Sequence, residues 1–256
     1  MPVSIRCLES LDELAQVAPL FERVWGATGF QVAMPVNLLR ALAHSGNYVS
    51  GAFAGGQLVG AAVGWLGEHD RALELHSHAV GVDRTAQGRG VGYDLKLHQK
   101  RWAQAKGVER ITWTFDPLGR RNAWFNLVKL GARAVAYYPN FYGVMPDDLN
   151  GTDETDRCLV AWELSSSPSP HPADSAVVLL TESANHTPIV GDTRIDDTRS
   201  VRCQVPHDIV AMRQDNARLG REWRLALRAT MGRAMQAGFV ATSMTRDGWY
   251  VLEQAV

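Results

Sequence analysis

LELHSHAVGVDRTAQGRGVG, residues 73–92, decides the fold of this 256-residue chain. Arg71 to Val82 reads as a strand, a glycine-studded turn follows, and the apolar spacing from Val91 onward reads as a helix. Such a junction builds a socket for a diphosphate. Gln87, Gly88, Arg89, Gly90, Val91 and Gly92 would present successive main-chain N–H groups at a helix N-terminus, where open donors and the positive end of the dipole favour an anion. The glycines let backbone approach ligand, and Arg89 adds positive charge. Two other glycine-rich readings fail on spacing. An NTPase phosphate loop requires Lys and then Ser or Thr after its last glycine, whereas Gly92 is followed by Tyr93 and Asp94. A dinucleotide fingerprint does not space its glycines in the two-residue steps of Gly88, Gly90 and Gly92, and no strand-helix-strand unit opens the chain.

Upstream, Ser10 and Glu13 form a capping box, and Leu11, Leu14, Val17, Leu20, Phe21 and Val24 supply the stripe of one helix from Leu11 to Trp25. Pro35 opens a second helix that Gly46 ends. Tyr48 to Ala54 and Gln57 to Leu66 read as a hairpin about Gly55-Gly56. Downstream of the loop, Val91 to Lys106 is a helix, Glu109 to Phe115 a strand, Asn122 to Leu130 a helix ended by Gly131, and Ala132 to Tyr138 and Arg157 to Leu164 two more strands. A Ser/Pro-rich stretch, SSSPSPHPADS at 165–175, then reads as a linker. Beyond it, strands at Val177 to Thr181 and Ser200 to Val205, one long or broken helix from Pro206 to Ala237, and a terminal hairpin about Asp247-Gly248 make a smaller α/β unit. The expected organisation is a domain at 1–164, the linker at 165–175, and a unit at 176–256 too small to stand alone, which docks on the first domain or on a partner subunit, as in a homodimer.

Composition excludes several classes of function. A net charge of −1 gives no general attraction to nucleic acid or to an anionic membrane. No run approaches the roughly 18 apolar residues of a spanning helix, and no leader pattern opens the chain, so a cytoplasmic protein is expected. Cys7, Cys158 and Cys203 are odd in number and widely spaced, which reads as buried thiols. His76 with His78 is an isolated pair without further ligand-spaced partners, so no metal is expected.

Gln87, Gly90 and Gly92 fit the pattern Gln/Arg-x-x-Gly-x-Gly/Ala, and the order β-α-α-β-β-β-α-β-α-β-β places that loop after the fourth strand. Both features resemble the GNAT acyltransferase superfamily, a mixed central sheet flanked by helices. The helix RNAWFNLVKLG at 121–131, the NFYG of Asn140 to Gly143 and Asp156-Arg157 resemble a narrower branch of it, and VPHDIVAMRQDNARLGREWRLALRATMGRAMQAGFV at 205–240 resembles that branch's C-terminal extension.

The resemblance implies an acyl-CoA-dependent N-acyltransferase, with acetyl-CoA or another acyl-CoA such as succinyl-CoA as donor and a small amine or amino acid as acceptor. The coenzyme's pantetheine would lie along the main chain near Val80 and Val82, its diphosphate on Gln87 to Gly92, with Asn122 and Asn126 as further contacts. Alternation puts Glu74, His76 and His78 on one face of the strand. His78 is the candidate base, with Glu74 or His76 completing a water path. The competing reading is a solvated or structurally bonded polar face. Asp116, Arg121 and Tyr142 are candidates for acceptor binding, although Asp116 and Arg121 could equally pair with each other to hold a turn. Leu127 stands where many family members carry the tyrosine that protonates the leaving thiolate. That departure supports an alternative, a non-catalytic acyl-CoA-binding or assembly module. Trp223, Arg224 and Arg228 are read as structural.

Overall fold

The structure, a computed structural model, describes residues 2–25, 34–145, 147, 150–165, 176–192 and 194–255. The chain divides into two compact units, Met1–Trp113 with Glu163–Ser165, and Thr114–Trp162 with Ser166–Val256. Each carries a mixed sheet and helices. Apart from Ser165, the expected linker lies outside the described residues.

In the first unit, β1 (Val3–Cys7), β2 (Tyr48–Ala54), β3 (Gln57–His69) and β4 (Ala72–Val82) run antiparallel in that order, and the start of β5 (Arg110–Phe115) pairs parallel to β4. Gly55 and Gly56 both take left-handed φ, 57° and 82°, as the β2–β3 turn requires. The helix expected from Leu11 to Trp25 is two helices, α1 (Leu11–Leu14) and α2 (Val17–Trp25). Ser10 Oγ caps α1 by accepting the Glu13 N–H, and Gln16 N–H turns back to Glu13 O, closing the first helix after one turn. The break re-aims the stripe, leaving Leu11 exposed while Leu14, Val17, Leu20 and Phe21 are fully buried with Leu39 of α3 (Val36–His44). α4 (Val91–Ala105) buries Val91, Leu95 and Ala103.

In the second unit the strand order is β7 (Arg157–Glu163, of which Glu163 falls in the first unit), β6 (Arg133–Tyr138), β11 (Phe239–Met244), β12 (Trp249–Gln254), β10 (Ser200–Gln204), β8 (Val177–Glu182) and β9 (Pro188–Val190). Only β10 and β8 are parallel. α5 (Arg120–Trp124) runs into a wide turn, Phe125–Lys129, in which Leu130 N–H reaches Phe125 O. The expected helix from Pro206 to Ala237 is broken into α6 (Ile209–Asp215), α7 (Ala217–Leu227), a second wide turn and α8 (Arg233–Gln236). Asn216 makes the break, leaving helical geometry with φ −150° and capping α7 by accepting the Leu219 N–H. Gly220 permits the tight return, since a Cβ there would lie 2.8 Å from Arg213 Cγ. Cys158 and Cys203 are buried, but Cys7 is only half-buried because it ends the edge strand β1.

Candidate functional site

The 73–92 junction of the first unit has the geometry its sequence demands. Asp83 ends β4 and caps a single tight turn, Arg84–Ala86, accepting Thr85 N–H at 3.0 Å and Thr85 Oγ1 at 2.7 Å. Those donors, with Arg23 on the other carboxylate oxygen, hold Asp83 below the usual carboxylate range. Gln87 donates its amide back to Val82 O at 3.1 Å, so its side chain clamps the loop from within. Gly88 and Gly90 then take left-handed φ of 75° and 85°, a conformation that strains any other residue.

Gly90 caps α4 without a side chain. Asp94 N–H bonds Gly90 O, so the Val91 and Gly92 amides before it are open donors of the helix end. Gly92 has ordinary helical φ and room for a methyl, the nearest atom to a built Cβ being Val82 Cγ2 at 3.7 Å. Neither backbone strain nor packing calls for glycine there. A cradle that a Cβ would fill suits a diphosphate lying against these amides.

β4 supplies the second half of the arrangement. Its pairing with β5 covers Glu74, Leu75 and His76 and stops there, so the β5-facing edge from Ser77 to Val82, including Val80 and Val82, has no ladder partner among the described residues. On the opposite edge β3 pairs Gly64 with Ser77 and Val63 with Ala79, which makes His78 the extra residue of a β-bulge. Glu74, His76 and His78 lie together as the alternation requires. Trp65 packs on both imidazoles, with centroids 5.3 Å from His76 and 4.7 Å from His78. Thr112 Oγ1 sits 3.2 Å from Glu74 Oε1 and 3.4 Å from His76 Nδ1. Burial lowers both histidines from their ordinary value, reinforced by the Lys96 charge at His76 and by His76 at His78. The two rings are therefore free bases at neutral pH. Sequence reasoning missed Trp65 and Thr112, whose residue types carry no signal until the register is known.

The remaining sequence-predicted residues belong to the second unit. Asp116 does not pair with Arg121. Its partner is Arg213 of α6, at 2.7 Å, and its other oxygen takes the Leu118 N–H. Arg121 and Asn122 are exposed, with no side-chain hydrogen bond among the described residues, whereas Asn126 is buried in the wide turn. Leu127 is likewise buried, so no proton donor stands at that position. Tyr142 shares a hydrogen bond with Thr114 Oγ1 at 2.9 Å and packs edge-on to Phe141, which stacks on Tyr138. Arg224 and Arg228 are structural: Arg224 forks onto Asp153 and Glu154, and Arg228 onto Asp156 and Glu154.

Among the described residues no group of three or more His, Cys, Asp or Glu side chains is placed to hold a metal ion. No helix among them is long and apolar enough to cross a membrane.

Residues 14–131 match the model of the Acetyltransferase (GNAT) family. No curated protein sequence matches the chain significantly. Among solved structures, the chain resembles the ribosomal-protein-S18-alanine N-acetyltransferase of Escherichia coli at 15% identity and TM-score 0.51, over 66% of this chain and 99% of that one. It resembles an N-acetyltransferase of Staphylococcus aureus Mu50 at 15% identity and TM-score 0.51, over 64% and 100%. The yncA protein of Salmonella typhimurium, solved with its cofactor acetyl-CoA, is 17% identical at TM-score 0.51, over 68% and 100%. At such identities the likeness is one of fold, and the family match spans the open strand edge and the glycine loop. Residues 14–131, somewhat less than half of this chain, thus match the GNAT acetyltransferase family, a family of acyl-transferring enzymes.

Proposed function

We propose that the enzyme transfers an acetyl group from acetyl-CoA to the neutral amine of a small molecule or amino acid by direct attack. The observation that carries this reading is the unpaired β4 edge running into a loop whose Val91 and Gly92 amides are open. In it, the main chain at Val80 and Val82 receives the amide-bearing arm of the donor, and the Gly88–Gly92 amides receive its diphosphate. The coenzyme supplies the activated thioester, and the chain supplies orientation, which lowers a bimolecular barrier by roughly 7–11 kcal/mol.

The acceptor must also lose a proton. An amine of ordinary lysine-like pKa starts about 4–5 kcal/mol behind at pH 7, at about 1.4 kcal/mol per pH unit. His78, a free base packed on Trp65 yet still reached by solvent, takes that proton directly or through water, and His76 and Glu74, joined through Thr112, relay it. Trp65 shields one side of the pair. With Leu127 at the usual donor position, solvent protonates the departing thiolate. Asp116, engaged by Arg213, is withdrawn from acceptor recognition.

Two variants test this. Gly92→Val should fold normally yet bind acetyl-CoA at least about 10-fold more weakly by titration calorimetry, because the added side chain occupies the cradle. Retained affinity would remove the loop from the site. His78→Ala should keep acetyl-CoA affinity while kcat/KM falls on the order of 10²-fold over a panel of amines and amino acids assayed by thiol release. The buried Leu127 favours a second reading, an acyl-CoA-binding module without turnover. Binding with no thiol release on any acceptor, and no change on His78→Ala, would select it.

A further inference from the structure

The first unit buries a cation that the chemistry above leaves unused. Lys96 of α4 is 4% exposed. No carboxylate among the described residues pairs with it. Its ammonium donates to Ser77 Oγ at 2.9 Å and to Gln99 Oε1 at 3.0 Å, and lies 3.7 Å over the Trp113 ring. Gln99 is itself fully buried, and its Nε2 has no acceptor among the described residues. Every partner of this ammonium is neutral, and an arrangement so costly to bury calls for a reason beyond packing.

Ser77 supplies the reason. It lies between His76 and His78, is the last residue paired before the bulge, and points to the α4 face while the imidazoles occupy the other. We propose that Lys96 is a positioning residue for the proton-accepting histidines: it anchors Ser77, fixing the register in which His78 is extruded, and its charge, one residue away, disfavours a protonated His76.

The proposal rests on the acyl-transfer reading only for its purpose; the anchoring and the charge effect stand without it. The groups facing His76 are Glu74 and His78 on β4, Trp65 on β3 and Thr112 on β5; Lys96 acts on it from the opposite, α4 side, through its place at Ser77. Lys96 is the one lysine or arginine in that set. Burial lowers its own pKa to about 7, so it is charged throughout the lower range in which His76 takes up a proton. A like charge there disfavours the imidazolium.

The test uses the full chain without donor or acceptor, so it is independent of whether acyl transfer is the activity. Imidazole signals are followed by NMR from pH 5 to 9. Lys96→Met should raise the His76 midpoint above its value in the unaltered chain. Ser77→Ala, which keeps the ammonium and removes its anchor, should move the His78 and Ala79 amide signals while the midpoint of His76 stays low. An unchanged His76 midpoint in Lys96→Met overturns the charge role, and unmoved bulge amides in Ser77→Ala overturn the anchoring. If Lys96→Met does not fold, the Lys96 Cε signal of the native chain decides: a Lys96 midpoint above that of His76 supports the charge role, and one below it overturns that role.

Discussion

Asp156→Ala should lower the unfolding free energy by about 3–5 kcal/mol, the scale seen when one member of a buried ionic network is removed. Asp156 is 3% exposed. It accepts the Tyr137 hydroxyl at 2.7 Å and the Asn140 N–H at 3.0 Å, and takes the Arg228 guanidinium on both oxygens. Truncation leaves the buried Tyr137 hydroxyl without its acceptor and Arg228 with Glu154 alone. Burial by itself would raise this carboxyl, but Arg228, the Asn140 N–H and Tyr137 together bring it below the usual carboxylate range. Since the folded-state value lies below the unfolded one, the contribution is complete above about pH 4 and is lost as pH falls through the folded-state value. Urea unfolding at pH 7 and pH 3 checks both points. The variant should cost less at pH 3 than at pH 7, and Tyr137→Phe should cost only about 1 kcal/mol at pH 7. Equal losses for Asp156→Ala at the two pH values would mean that the charge plays no part.

Gly64→Val should be comparably damaging for a steric reason. Gly64 sits opposite the bulge, where a Cβ would lie 2.6 Å from the His76 carbonyl oxygen and 3.3 Å from Ser77 Cα. Both obstacles are main chain and cannot rotate away. Overpacking of this kind costs about 1–3 kcal/mol and sometimes more, and relief requires β3 and β4 to part where the histidines are set. Stability should fall by about 3 kcal/mol and the His78 signals should shift. Gly67→Ala on the same strand, with nothing within 4 Å of its built Cβ, is the control and should change stability by less than about 1 kcal/mol. Matching losses in the two variants would show that strand propensity, not the close approach, sets the effect.

The strand-loop-helix junction was legible because its signals are local. Gly88 and Gly90 write left-handed turns into the sequence, and Val91 onward writes a helix. The interrupted helices were less so: the periodicity from Leu11 to Trp25 and from Pro206 to Ala237 continues through each break, and only the tight turn after Glu13 and the cap at Asn216 divide them. The wide turn at Phe125–Lys129 is equally silent, since one extra residue per turn barely disturbs an apolar stripe. Within the site, alternation placed Glu74, His76 and His78 together. It could not show that Asp116 would be claimed by Arg213, 97 positions away, nor that a lysine would be sealed behind the same strand. Partners that meet only through folding leave no spacing to read.

The register slip at His78 has a bearing on which residues the scaffold could lose. Ser77 reaches Lys96 and Val82 lies against Gly92, both on the α4 side, although five positions separate them and an unbroken two-residue alternation would place them on opposite sides. Omit residue 78, and Leu75, Ser77, Val80 and Val82 fall into step on one side of a regular ladder. The hydrophobic interior is thus indifferent to the presence of that histidine. A deletion should yield a more evenly paired ribbon, and on the acyl-transfer proposal it would take the proton acceptor with it.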